Sequence, residues 1–477
     1  MVEKREAGGK TPTISNNLAK RVQDELGQDV GLCYQCVKCT SGCPVANSFD
    51  WQPNQIMRAL QLGQEEIALR SQTPWLCASC QTCTTRCPQG LDIASIMEFL
   101  TREALRRGIK PRVPEVDLFN KAFMRQVRLW GRAYELGLVA EMKLRTRRFT
   151  DDLDLGVKMI RKRKMPFLPR PTRLPREVKP VPGAANAVAY YPGCSLHSTA
   201  SEFDDSARAV CEALGMRLIE PRGWVCCGSS VAHRSDPEAA LSLPLGNLAL
   251  IERSGFKEVT MPCAACFNHH RTAQYEIRHR GQRKAGIDAS ILRGYRDTVT
   301  VSTLVEAITT HVGIEGVASA VRRPLAGLRV VCYYGCLLSR RPEVTGAQHP
   351  ENPTDMDELM SALKAEVLDW SYKTSCCGAA HALSRPDIVL TLSRDLIRHA
   401  RQAGADVIVV ACPLCHANLD ARQFQMDLEE PMPVLYFTQL MALALGLPEK
   451  AALHKNLVDP RPALVRKGVL SASAGAA

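Results

Sequence analysis

Long apolar runs are missing from this sequence. The longest, Ala405–Cys412 and Leu440–Leu447, fall far short of the eighteen or so residues that a helix needs to cross a bilayer. The first ten residues, Met1–Lys10, hold no apolar core, so a secretory leader is not expected. Aromatic residues are scarce, at 5%, and no nucleic-acid module is visible. No G-x-G-x-x-G opens a strand–helix unit and no Walker lysine occurs. The chain is therefore expected to carry no nicotinamide or flavin of its own. Together these absences point to a cytoplasmic protein with no transmembrane segment. Its 477 residues, 45% of them apolar, are enough for two to four compact units, each with a core.

Cysteine, by contrast, is abundant: there are twenty. Secreted disulfide scaffolds reach this density but are short, so clustered cysteines in a long chain point to metal. Eight lie in the first hundred residues, as Cys33, Cys36, Cys39 and Cys43 before Pro44, and Cys77, Cys80, Cys83 and Cys87 before Pro88. Both read C-x2-C-x2-C-x3-C-P, the run of bacterial ferredoxins, whose fourth cysteine ligates the other of two [4Fe–4S] clusters. Cys33, Cys36, Cys39 and Cys87 are accordingly assigned to one cubane, and Cys77, Cys80, Cys83 and Cys43 to the other. Paired zinc sites are the alternative, but they need neither the third cysteine at the same step nor the trailing Cys-Pro. Proline at 53 and glycine at 63 bracket a helix with Ile56 and Leu60 on one face. Ile96, Met97 and Leu100 predict another over Ile93–Leu105. The ferredoxin unit is therefore expected to be helical.

Ten further cysteines belong to an internal duplication. One copy runs Tyr191-Pro-Gly-Cys194, Cys226-Cys227-Gly228 and Cys263-Ala-Ala-Cys266; the other runs Tyr334-Gly-Cys336, Cys376-Cys377-Gly378 and Cys412-Pro-Leu-Cys415. The landmarks recur at displacements of 142, 150 and 149 residues, the mark of a repeated structural unit. Each copy offers five cysteines, one more than a zinc ion or a simple cubane takes. Adjacent cysteines need a sharp turn to face one site, which Gly228 and Gly378 permit. The surplus suggests a cluster of unusual geometry, or a cluster with a reactive thiol; a redox disulfide is the alternative. Cys211 and Cys332 fall outside the pattern and read as a buried helical thiol and a strand residue.

These motifs resemble heterodisulfide reductase. The first hundred residues, with both cysteine runs and Thr73-Pro-Trp75-Leu-Cys77, are similar to its C subunit. The region from about Asn186 onward is similar to its B subunit, through Tyr191-Pro-Gly-Cys-Ser-Leu-His197, the stretch from His349, and Asp369-Trp-Ser-Tyr-Lys-Thr-Ser-Cys376. The chain thus resembles a natural fusion of the two. The resemblance implies two noncubane [4Fe–4S] clusters, one on Cys194, Cys226, Cys227, Cys263 and Cys266, the other on Cys336, Cys376, Cys377, Cys412 and Cys415. It further implies a disulfide or thiol substrate between them, fed through the two cubanes, and a hetero-oligomer with a flavin-bearing partner like that enzyme's A subunit. Cleaving a disulfide takes two electrons, which a pair of one-electron centres can supply. The same cysteine-rich module occurs in iron–sulfur subunits of glycolate, lactate and glycerol-3-phosphate oxidation and in succinate:quinone reductase relatives. They provide the alternative, a non-catalytic electron-transfer subunit feeding a quinone or other carrier.

Residues 101–180 hold 22 Lys and Arg against 9 Asp and Glu. Apolar spacing predicts a helix over Lys121–Leu138, and Pro166–Pro182 reads as an extended linker. Its basic tract, Arg161–Lys164, fits a solvated linker, an acidic redox partner or, least well, nucleic acid. His197, His269, His270, His381 and His416 lie within four residues of the duplicated cysteines. Packing or second hydrogen-bond partners account for most of them, with His381 favoured if one carries protons. The expected architecture is multidomain, α and α/β. A helical ferredoxin domain (1–105) and a basic helical and proline-rich linker (106–185) precede two tandem α/β units (186–320 and 321–450) and a tail (451–477). Val407–Ala411 reads as a buried parallel strand with ligands at its end, and the last dozen residues read as disordered.

Overall fold

The computed structural model describes residues 17–172, 177–184, 187–279 and 294–471. Asn186 and the final residues 472–477 lie outside this set.

The N-terminal part is helical, with the longer helices at Asn17–Leu26, Pro53–Gln61 and Ile93–Arg106. Their apolar faces meet in a core of Ile56, Met57, Leu60, Trp75, Leu76, Ile96, Phe99 and Leu100. The two cysteine runs share an uncommon backbone. Gln35 and Val37 in the first, and Ser79 and Gln81 in the second, take positive φ between 50° and 67°. Left-handed non-glycine residues are sparse and cluster at functional sites. Here they curl the chain between successive cysteines, one within each C-x2-C step.

The C-terminal two-thirds holds two small sheets, both entirely parallel. The first comprises β1 (Val188–Tyr190), β2 (Leu218–Ile219), β3 (Glu258–Met261) and β4 (Thr300–Thr303), ordered β2-β1-β3-β4. The second comprises β5 (Arg329–Tyr333), β6 (Glu366–Val367), β7 (Val407–Val410) and β8 (Val434–Tyr436), ordered β6-β5-β7-β8. The duplication read from the cysteines is thus a duplication of topology. Strands β5 and β7 pair in register from Val330↔Val407 to Tyr333↔Val410, and β7 is wholly buried, as parallel strands covered on both faces are. Cys332 is buried in β5, and Cys211 is buried in helix Ser201–Ala213. That helix joins the two units. Phe203 stacks on Tyr436 with centroids 4.2 Å apart, and Ser206 Oγ lies 2.7 Å from Thr438 Oγ1.

Between the two parts run helices Pro114–Trp130, Glu135–Thr146 and Leu153–Arg161. The helix expected over Lys121–Leu138 is broken at Gly131, whose φ of +70° ends the first of these. The proline-rich stretch is stitched to the body rather than free: Thr172 donates from N to Trp130 O at 2.8 Å and from Oγ1 to Trp224 O at 3.0 Å. Within the basic tract, Lys164 is buried against Glu202, so only Arg161 and Arg163 are exposed. Of the last dozen residues, expected to be disordered, Arg466 closes helix Arg461–Arg466 and Leu470 is 7% exposed in the core, so the expectation is corrected as far as residue 471; residues 472–477 lie outside the described residues. Among the described residues no helix is long and apolar enough to cross a membrane.

Candidate functional site: a cavity ringed by ten cysteines

Ligands in open parallel sheets gather at the strands' carboxyl ends, and the duplicated cysteines sit there. Cys194 and Cys336 follow β1 and β5; Cys263 and Cys412 follow β3 and β7, with Cys266 and Cys415 one turn into the next helix. The paired cysteines are held by matching devices. Tyr191 donates its hydroxyl to Val225 O at 2.6 Å, and Tyr333 donates to Ser375 O at 2.7 Å. Each thereby fixes the carbonyl just before a Cys-Cys pair. The turn expected at Gly228 and Gly378 is present, with φ of +85° and +78°. Gly193 and Gly335 are needed for a different reason. A Cβ there would stand 2.9 Å from Cys266 Sγ and from Cys415 Sγ respectively.

All ten of these cysteines line one cavity of about 600 Å³. Eight are buried, with Cys194 and Cys336 partly open, and no cysteine of the chain is in a disulfide. The closest pairs are matched as well: Cys227–Cys266 and Cys377–Cys415 both stand 3.6 Å apart, Sγ to Sγ. Hydrogen bonds from Cys226 and Cys266 bring Cys227 down to about 6. Bonding to Cys415, against burial, brings Cys377 to about 7. The thiolate is the metal-binding form, so each copy carries soft, buried donors with one already inclined to lose its proton. These residues fit an iron–sulfur group.

The ferredoxin cysteines fall into an outer and an inner set. Cys36 is exposed, and Tyr34 stands beside Cys36 and Cys87. Deeper in, Cys43 neighbours Cys80 and Cys77, and Cys83 neighbours Cys77, Cys80 and Cys43. Cys80 then meets Cys376, in a small apolar cluster with Ala78 that also contacts Cys336. The inner set therefore abuts the second cysteine ring. Arg340 secures this junction, donating from Nη1 to Thr82 Oγ1 at 2.6 Å, and Arg341 pairs with Asp92 at 3.0 Å.

The other wall is the helical segment between the two parts, for which the sequence offered no chemical signal. Gly131 O accepts from Cys226 N at 2.8 Å, and Ala133 N–H donates to Cys194. Phe123, Val127 and Leu138 pack against Cys226 and Val231. Arg132 lies over the Trp224 ring at 3.6 Å. Glu135 lines the cavity; its Oε1 accepts from Thr199 Oγ1 at 3.1 Å.

Comparison with known proteins agrees with this geometry. Residues 188–270 and 330–420 match the family profile of a cysteine-rich domain, CCG, and residues 32–92 match that of a 4Fe-4S dicluster domain. The chain is 33% identical over 281 residues to the 8-methylmenaquinol:fumarate reductase membrane anchor subunit of Wolinella succinogenes, covering 57% of this chain and 96% of that protein. It is 26% identical over 285 residues to the B subunit of the ferredoxin/F(420)H(2)-dependent CoB-CoM heterodisulfide reductase of Methanosarcina acetivorans, covering 57% and 94%. It is 22% identical over 470 residues to the D subunit of the dihydromethanophenazine:CoB--CoM heterodisulfide reductase of Methanosarcina barkeri, covering 92% and 98%. The chain belongs to the heterodisulfide reductase-like family of iron–sulfur subunits.

In this heterodisulfide reductase-like chain the five histidines near the duplicated cysteines serve different ends. His270 and His416 are buried core residues bonded to Cys266 O and Val434 O at 2.7 and 3.0 Å. His197 sits 3.3 Å from Glu220. His381, favoured on sequence grounds as a proton carrier, is corrected by its position. Its Nε2 bonds Leu76 O at 2.9 Å across the junction, it is absent from the cavity lining, and burial pushes its pKa down to about 4. It braces the ferredoxin part. His269 alone of the five lines the cavity, with Nδ1 2.9 Å from His233 Nε2.

Proposed function

We propose that this chain is the iron–sulfur subunit of a multisubunit oxidoreductase, performing two-electron chemistry on a disulfide or thiol in the ten-cysteine cavity. The observation that supports it is that both five-cysteine sets line one space. Cys194, Cys226, Cys227, Cys263 and Cys266 would hold one noncubane [4Fe–4S] cluster, and Cys336, Cys376, Cys377, Cys412 and Cys415 the other. Cys33, Cys36, Cys39 and Cys87, and Cys43, Cys77, Cys80 and Cys83, would hold two cubanes. When bound, such groups supply electrons singly. The chain's own residues shape the space they share. Phe119, Phe123, Leu138 and Met142 line it and limit water, which strengthens the electrostatic interactions inside. Glu135 and His269 are titratable side chains on its wall, together with Glu115, Asp151 and Asp152. The domains follow the same division: 1–105 ferredoxin, 106–185 the connecting cover, 186–320 and 321–450 the two CCG units, and 451–477 the C-terminal tail. With no nucleotide motif, electrons would enter from a flavoprotein partner.

A second reading is favoured by one observation, the 33% identity to a subunit of a quinol:fumarate reductase. Under it the chain relays electrons between a flavin dehydrogenase and a quinone. Electron paramagnetic resonance separates the two. On the anaerobically purified, oxidised chain, low-molecular-weight thiols should raise a new signal that Cys226→Ser abolishes. No thiol-dependent signal, together with reduction of a menaquinone analogue, would select the relay.

A further inference from the structure

One buried nitrogen on the cavity wall has no partner. His269 is 6% exposed and lines the cavity, and its Nε2 bonds nothing. A buried polar atom left unpaired is costly and calls for an explanation. Its place in the duplication supplies one. Asn418, three residues after Cys415, spends its side chain on its own ring, donating to Cys377 O and Sγ. His269, three residues after Cys266, pairs instead with another histidine. Its Nδ1 stands 2.9 Å from His233 Nε2, with ring centroids 4.7 Å apart.

His233, in helix Ser229–Ser235, lies outside the cavity lining and is partly open to solvent. The two imidazoles thus span from solvent to the cavity. Their helix is pinned to the ferredoxin part: His233 O accepts from Arg102, and Arg234 donates to Cys77 O and to Ser79 Oγ, the latter at 3.0 Å. The charged groups near His233 are Glu98, Arg102, Glu276 and Asp92; His270 neighbours His269. Three of those four are acids, which favour a positive charge in passage. Burial pushes the pKa of both rings down, so the resting pair is neutral and shares one N–H. With His233 donating, His269 carries its own proton on Nε2. Imidazole can take a proton on one nitrogen and release another from the second.

We propose that His233 and His269 carry protons from solvent into the cysteine cavity. As a disulfide takes two electrons and its S–S bond breaks, one sulfur takes the Nε2 proton of His269 and leaves as a thiol; the other leaves as a thiolate. His269 Nδ1 takes the proton of His233 Nε2, and His233 Nδ1 takes one from solvent. Quinone reduction needs protons as well, so the route serves either reading. It rests on redox chemistry taking place in the cavity.

Rapid mixing tests it. The full chain, reduced with dithionite and freed of reductant, is mixed with bis(2-hydroxyethyl) disulfide or menadione in weak buffer with a pH-indicator dye. Visible absorbance follows the electrons and the dye follows the protons. In the wild type, proton uptake should keep pace with reoxidation. His269→Gln and His233→Gln should slow uptake about tenfold or more, at unchanged iron content. Added imidazole should restore uptake in His233→Ala, whose vacated site opens to solvent. Wild-type uptake in both Gln variants would overturn the proposal, as would a slowing in His233→Ala that imidazole does not relieve. So would loss of uptake in Glu135→Gln alone, which would assign the route to Glu135. Reoxidation by neither probe, in the wild type, would fail the reading of the cavity itself and the proposal with it.

Discussion

The two CCG units share a strand order, a tyrosine clamp and a crowded glycine, yet their cysteine rings look onto different neighbours. The second faces the ferredoxin part, where Cys376 meets Cys80 and His381 bonds Leu76 O. The first faces the helical cover, where Cys226 N bonds Gly131 O and Cys194 receives Ala133 N–H. Arg234 of the first unit does reach the ferredoxin part, at Cys77 O and Ser79 Oγ, but as a brace. Duplication supplied two like sets of thiols; the surroundings then divided the labour. On the proposed function, the second ring is where electrons arrive and the first is where access is controlled.

Ligand substitutions should break this comparison most sharply. Cys226→Ser and Cys376→Ser should each lower iron by about four per chain and cut turnover by about a hundredfold or more. They should differ in rapid mixing with a reductant. Cys226→Ser leaves the remaining ring reduced at the wild-type rate, whereas Cys376→Ser leaves the first ring reduced slowly. Identical behaviour would abolish the distinction.

The junction comes next. Arg340 is 2% exposed and spans Thr82 Oγ1 at 2.6 Å and Thr374 Oγ1 at 3.1 Å. Arg340→Met should cost about 2 kcal/mol in urea unfolding, by stranding buried partners, and should slow reduction of the second ring. Arg132→Met, on the other side, removes the cation from the Trp224 face and should cost about 1 kcal/mol without that slowing.

Asn418 sharpens the comparison at atomic scale. It donates to Cys377 O at 3.3 Å and to Cys377 Sγ at 3.4 Å, and the matching position of the first unit is His269. Asn418→Ala should lower activity about tenfold and shift the potential of the second ring only, as a redox titration would show.

The smallest effect is a pH dependence confined to the first unit. Burial pushes the Glu220 carboxyl up, but His197, Trp224 and Arg208 outweigh it and hold it at about 2. The folded value lies below the unfolded one of about 4.3. The stabilisation is therefore present above that value and is lost as pH falls toward the folded value. Glu220→Gln should cost about 1 kcal/mol near neutrality, and the difference from wild type in urea should shrink as pH falls below about 4.

What could be read in advance was whatever spacing encodes. C-x2-C-x2-C-x3-C-P and the repeated Cys-Cys-Gly are local patterns, and β-branched runs such as Val407–Val410 announce a buried strand. Contacts between distant segments leave no such mark. Nothing in Ala78-Ser79-Cys80 names Cys376 as its neighbour. Phe123 and Leu138 read only as apolar residues at helical spacing, and Gly131 between them gave no sign that its carbonyl meets Cys226. His381 misled because nearness in sequence to Cys377 stood in for nearness to the cavity; its ring turns the other way, to Leu76.

The central claim is that both rings carry a cluster around one shared cavity. Iron and acid-labile sulfide per chain, on the anaerobically purified protein, test it most directly. Two cubanes and two noncubane clusters of four irons give about sixteen of each. A value near eight, with the ferredoxin part fully loaded, would contradict the account and leave the ten cysteines of the cavity without their clusters.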